Sequence, residues 1–261
     1  MNKSLFFLFG IAIVFSISSC SSPSYFIPAA TGNDVSYLPK PMGSDSIKTR
    51  NYVSASLASL ALPYATGDIN MGFVNFSRAH TTKHLNIAYG VFGFAGETNY
   101  ESGYHKKTTI PEFDGKGLIG GGLRTSIGYY DYAGPVEFRI LSWENALSFE
   151  SGAYADFRKR MNTLNDPNII SSTKTTLYTT GGATEIIFHS KRNLDNHFAF
   201  RFFYGFTPGL NQSIKTNFDY QKRRGTYLDF TFYFKLNKFY GILSSGGNRG
   251  FSNKLSLGYS F

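Results

Sequence analysis

The chain has 261 residues, with 26 Lys and Arg against 17 Asp and Glu (net charge +9), 17% aromatic residues, 27 glycines and one cysteine. A single cysteine excludes a disulfide-stapled scaffold and a cysteine-rich metal centre. Beyond the N-terminal run no apolar stretch approaches the about 20 residues that a helical membrane span needs, so such a span is excluded.

Met1-Asn2-Lys3 makes a short positive start, and Leu5 to Ile17 carries no charge and is interrupted only by Gly10 and Ser16. A charged start, a short apolar core and small residues at its end read as a secretory signal. Ile17-Ser18-Ser19-Cys20 resembles the lipobox of bacterial lipoproteins. The resemblance implies a signal peptide over residues 1–19, diacylglycerol on the Cys20 thiol, and fatty acylation (palmitate) of the amine freed by cleavage. A thiolate is the nucleophile such chemistry needs, and two or three acyl chains hold a protein stably on a membrane. The alternative is an ordinary secretory signal in which Cys20 plays no part. Residues 20–50 contain Pro23, Pro28, Gly32, Pro39, Pro41 and Gly43, spaced so as to prevent a helix or a central strand. This predicts a lipidated tether, with "YFIP" and "YLPKP" partly extended and loosely docked.

Residues 51–261 form the third unit, and they show no convincing helical periodicity. Alternating segments separated by turn-like clusters predict an all-β barrel. Strands are expected near 51–62, 69–79, 84–96, 118–130, 136–157, 173–189, 197–207, 226–235, 238–245 and 253–261. In "HFAFRFFYGF", Phe198, Phe200, Phe202, Tyr204 and Phe206 oppose Ala199, Arg201, Phe203 and Gly205. In "YLDFTFYFKL" and "KLSLGYSF" the pattern repeats, with Asp229, Thr231, Lys235, Lys254 and Ser256 on the polar side. Alternation alone does not say which face is inside. Up to five aromatics on one face of a strand would overfill a barrel of eight to ten strands, whereas Gly, Ser and charges of both signs can fill it. The aromatic face is therefore placed in lipid, giving an antiparallel transmembrane up-and-down β-barrel of about ten strands, or eight if two weak segments are loops. The alternative is a lipid-anchored soluble barrel that binds a small apolar ligand.

Parity places the anchor and the C-terminal strand end together in the periplasm, with the longer links 97–117, 158–172 and 208–225 on the outer side. The terminal Phe261 resembles the signal read by barrel assembly machinery. The layout of "ISSC", "YFIP" and hairpins such as "GLIGGGLRTSIGYYDYAGPVEFRI" resembles small outer-membrane β-barrel lipoproteins of the Bacteroidota type. That resemblance implies a cell outer membrane location, with the barrel inserted and lipid-anchored through Cys20. It also implies the lipoprotein processing and barrel assembly machineries as partners. It carries no enzymatic activity.

Chemistry-bearing motifs are sparse. No metal or cofactor is expected: His80 and His84 flank a turn with no third ligand nearby. "LIGGGL" (Leu118 to Leu123) lacks the Lys-Ser/Thr of a phosphate loop, and its glycines suit close packing in a strand. The one assembly that could support an enzyme acting on lipid or peptide is His105 with Glu101, Glu112 or Asp114 in one loop. Nucleic acid is a poor partner for an exported, anchored chain. The basic runs Arg158-Lys159-Arg160 and Lys222-Arg223-Arg224 lie in outer links, where they read either as contacts for lipopolysaccharide phosphates or as ordinary solvated charge. The expectation is a non-enzymatic structural or surface-interaction protein.

Overall fold

A sequence that alternates with period two places one set of side chains on each side of a sheet, and curling that sheet shut satisfies every strand edge. The computed structural model of the chain describes residues 24–62, 67–100, 110–134, 136–164, 166, 169–190, 196–210, 212–215, 220–223, 225–248 and 250–261. In chain order the strands are β1 (Ser24–Phe26), β2 (Thr49–Ala61), β3 (Asp68–Thr81), β4 (Leu85–Asn99), β5 (Gly117–Ala133), β6 (Val136–Ser151) and β7 (Ile169–Ser171). They continue with β8 (Thr176–His189), β9 (His197–Phe206), β10 (Gln212–Lys215), β11 (Tyr220–Arg223), β12 (Thr226–Leu236), β13 (Phe239–Asn248) and β14 (Gly250–Ser260). Helix α1 (Ala153–Thr163) and a 3-10 turn at Pro111–Phe113 lie between strands.

Among the described residues, ten strands close an antiparallel barrel in the order β12-β13-β14-β2-β3-β4-β5-β6-β8-β9. Each strand pairs with its neighbour in sequence, and β14 closes the ring on β2 from Phe251↔Ala61 to Ser260↔Tyr52. With ten strands, β2 starts and β14 ends at the same rim. That rim carries the short links 82–84, 134–135, 190–196 and 237–238; the other carries the long links 100–116, 152–175 and 207–225 together with 62–67 and the one-residue link at 249. The two are called here the short-turn rim and the loop-bearing rim.

The faces fall as expected. Phe200, Phe230 and Leu257 are 52%, 62% and 63% exposed, whereas Thr231 and Ser256 are 3% and 2% exposed. Leu57, Val74, Ile119, Leu123, Trp143 and Leu243 extend this apolar surface around the wall. Cross-strand pairs order it: Phe202 faces Phe230 and Phe200 faces Phe232 in register, with ring centroids 5.0 and 5.2 Å apart. An outward apolar face around a charged interior is the arrangement of a membrane barrel. No described helix is long and apolar enough to cross a membrane. The lumen is not only small and charged, however, since Tyr52, Tyr130, Tyr233, Phe73, Phe92 and Phe94 are buried in it. The glycines of "LIGGGL" make room for two of these rings. A methyl group on Gly120 would overlap the Phe94 ring and the Phe149 carbonyl, and one on Gly122 would overlap Phe92 and the Leu147 carbonyl.

Two expectations need correction. The strand predicted over 136–157 ends at Ser151, where Gly152 adopts φ +110°, and the chain turns into α1. An L side chain is disfavoured at that φ, and glycine takes it freely. Tyr154, Phe157, Arg158 and Met161 then lie on one buried helical face, at a spacing of three and four that the strand pattern conceals. The second correction concerns the predicted tether. Residues 24–42, from Ser24 to Met42, are buried throughout and occupy the barrel lumen, so they are not loosely docked outside it.

Candidate functional site

The lumen and the loop-bearing rim are where polar side chains converge. The buried N-terminal segment is a strap that crosses the lumen lengthwise, and its contacts can be followed from one rim to the other. At the loop-bearing rim β1 pairs in parallel with β7, Ser24 opposite Ile169 and Phe26 opposite Ser171. Below it the Tyr154 hydroxyl donates to the Ile27 carbonyl (2.6 Å), and Ala29 N–H donates to the Glu150 carboxylate (2.6 Å). In the middle, Lys254 and Arg124 donate to the Asn33 carbonyl at 2.8 and 3.1 Å, and Thr179 donates to the Asp34 carboxylate at 2.6 Å. Nearer the other rim the Tyr37 hydroxyl donates to Glu185, and Arg139 donates to the Lys40 and Pro41 carbonyls at 3.3 Å each. Gly43 N–H then reaches Glu137 (2.8 Å), and Lys48 O accepts from Thr81 N just before β2 begins.

The physical logic is that a segment with three prolines (Pro28, Pro39 and Pro41) and few strand partners leaves backbone carbonyls unpaired, and buried carbonyls need donors. The wall supplies them from Arg124, Arg139 and Lys254. Arg139 also bridges Glu137 and Glu185 at 3.0 Å each. Arg201 pairs with Glu144, and with Asp229 at 2.9 Å. Cation–π contacts add Arg124 over Phe92 at 3.8 Å and Lys254 over Phe73 at 4.2 Å.

Helix α1 closes the loop-bearing end. Phe26 packs on Phe157 (5.0 Å) and on Phe113 (5.6 Å), joining the strap, the helix and the 3-10 turn in one aromatic cluster. Burial raises the Tyr154 phenol above its ordinary pKa, so it serves as a hydrogen-bond donor. Arg158 is fully buried: it pairs with Glu150 at 2.6 Å and donates to the Ser172 carbonyl. The expectation that Arg158 offers its charge to lipopolysaccharide is therefore corrected, because its guanidinium is consumed inside the cap. Lys159 and Arg160 are exposed on the outer face of α1, paired with Asp156 at 3.1 Å and Glu112 at 2.6 Å. Lys222 and Arg223 lie on β11, which pairs with β10 in a hairpin above the same rim, while Arg224 lies outside the described residues.

The remaining sequence-predicted residues are scattered. Cys20, His105 and Glu101 lie outside the described residues. Of their expected companions, Glu112 pairs with Arg160, and Asp114 accepts from Tyr100 N–H at 2.9 Å. His80 shares a hydrogen bond with Thr49 (2.9 Å), and His84 stacks on Tyr129. Among the described residues no three His, Cys, Asp or Glu side chains converge to hold a metal ion. The strap-binding roles of Arg124, Arg139 and Lys254 were not foreseen. The available signal was a set of long cations on lumen-facing positions (Arg124, Arg139, Lys254) beside a proline-rich leader.

No protein-family model and no curated protein sequence matches the chain. Among solved structures it is similar to Neisserial surface protein A, with 12% identity, a TM-score of 0.36 and coverage of 81% of this chain and 95% of that one. It is similar to the translocator domain of the autotransporter NalP from Neisseria meningitidis, with 11% identity, a TM-score of 0.33 and coverage of 84% and 90%. The Pseudomonas putida toluene transporter TodX gives 10% identity, a TM-score of 0.35 and coverage of 90% and 73%.

Proposed function

We propose that the chain is an outer-membrane β-barrel lipoprotein, acylated at Cys20, with a non-enzymatic structural or surface-interaction role. The observation that supports this reading best is the pairing of an apolar outer wall with a lumen occupied by the chain's own strap. A filled lumen argues against a solute channel, and the long links gathered at one rim leave that rim as the part available to partners. In this reading the loop-bearing rim faces outward and the short-turn rim faces the periplasm, since long outer loops and short periplasmic turns are the usual asymmetry. Lys159, Arg160, Lys222, Arg223 and Arg224 then gather near anionic head groups of lipopolysaccharide, where each cation contributes about 1 kcal/mol.

One preparation tests the reading. Outer membranes are isolated from cells making the chain or a variant with those five residues changed to Gln, and the barrel is recovered and weighed by mass spectrometry. The expected result is an acylated Cys20 as the first residue, and less lipopolysaccharide retained by the variant at low salt, with the difference shrinking at high salt as screening sets in. An unmodified Cys20 would sink the lipoprotein reading, and equal retention at low salt would reduce the basic residues to solvated charge.

A further inference from the structure

We infer that the barrel displays its own N-terminal end on the outer surface: the strap carries the chain up through the lumen, so everything before Ser24 leaves at the loop-bearing rim. This rests on the outer-membrane reading for which rim is outside, and on the strap itself for the rest. It also replaces the expectation that the anchor and the C-terminal strand end share the periplasmic side.

The direction of threading is set by contacts in strict order along the wall. Ser24 and Phe26 pair with β7 in the link that follows α1; Asn33 meets Ser252 (2.8 Å) and Lys254, in the loop-side half of β14. Pro41 accepts from Thr81, the last residue of β3, at 2.7 Å, and the chain enters β2 at the short-turn rim. The strap therefore runs the full height of the barrel before the first wall strand begins. Ser260, at the end of β14, lies by contrast at the short-turn rim, where it pairs with Tyr52. Ser24 and Ser260 thus lie at opposite rims.

Reach makes this consequential for the anchor. Four residue steps separate Ser24 from Cys20, and a fully extended chain spans at most about 3.5 Å per residue, or about 14 Å in all. The hydrocarbon core of a bilayer is about 30 Å thick. With Ser24 held at the loop-bearing rim, acyl chains on Cys20 reach the external leaflet and fall short of the periplasmic one. Unthreading would be required for the other placement, and it would strip Arg124, Arg139 and Lys254 of the carbonyls they bind.

Cysteine accessibility tests the inference in intact cells with a membrane-impermeant maleimide. Three variants are compared: Ser22→Cys, Leu164→Cys as a marker of the loop-bearing rim, and Lys83→Cys as a marker of the short-turn rim, each confirmed as folded by heat-modifiable mobility. The expected result is that Ser22→Cys labels as strongly as Leu164→Cys before permeabilisation, while Lys83→Cys labels only afterwards. Protection of Ser22→Cys beside a labelled Leu164→Cys overturns the threading and leaves the outer-membrane reading standing. Protection of Leu164→Cys beside a labelled Lys83→Cys overturns the orientation, and the surface display with it. The parent chain separates lipidation from both, because labelling there reports a free Cys20 thiol. A second pair, Ser24→Cys with Ile169→Cys, is expected to cross-link on oxidation in native membranes and shift in mobility. A folded barrel with no such cross-link also overturns the proposal.

Discussion

Arg201 illustrates how a charge is kept inside this wall. It is 3% exposed and sits between Glu144 and Asp229, with the Thr231 hydroxyl also within hydrogen-bond reach at 3.2 Å. Removing one member of such a group leaves its partners buried and unpaired, which costs about 3–5 kcal/mol, whereas removing the whole group is often near neutral. Arg201→Met should therefore lower the stability of the barrel by about that amount in denaturant titrations. The triple change Arg201→Met, Glu144→Gln, Asp229→Asn should recover most of the loss. If the single and triple variants unfold alike, the carboxylates do not depend on the guanidinium.

Strands β9, β12 and β14 show the same economy at the scale of the element, with an apolar face exposed outward and the other face in the lumen. Phe200→Arg and Leu257→Lys should each destabilise the barrel by about 2–4 kcal/mol if their positions lie near the midplane. Thr231→Ser, which keeps the hydroxyl bonded to Asp229 (2.7 Å), should be tolerated. Unfolding midpoints in detergent or lipid would check this, and an unchanged Leu257→Lys would place that face in water. These strands were legible because alternation is a local property, visible in eight to ten consecutive residues. Helix α1 was not, since Ala153, Ala155 and Phe157 continue the alternation of Trp143, Leu147 and Phe149 in β6, and the φ of Gly152 separates the two elements. The strap was illegible for another reason. Its prolines and glycines do read as extended chain, but what turns extended chain into a buried element is a set of donors 40 to 221 residues away, from Thr81 on Pro41 to Lys254 on Asn33. Lumen cations looked self-neutralising beside Glu137, Glu144 and Glu185, while three of them in fact serve carbonyls of the strap.

For the whole molecule, the number of strands and the strap depend on each other. Eight strands enclose an interior that side chains fill; ten leave width for one extended chain, and the strap takes it. In planar bilayers the intact protein should accordingly be nearly non-conducting. A variant lacking residues 27–40 should open an ion-conducting path, lined by the Arg124, Arg139, Arg201 and Lys254 side chains that the strap now covers. A silent variant that is still folded would mean that the wall side chains alone seal the lumen.

The strap continues without a break into β2, and β2 is one side of the seam where β14 shuts the ring. A ring closed around a thread to which it is itself joined is an interlocked object, comparable to a rotaxane whose axle is tied to its wheel. The thread cannot slip out sideways while the seam holds. It can leave lengthwise only by drawing the Phe26 cluster through the polar interior. Closing the seam after the leading segment already lies in place avoids that passage. Any pull on the N-terminal end would load the β1–β7 pairing and the wall contacts of the strap in turn, and reach Thr49 and the adjoining seam only after they give way.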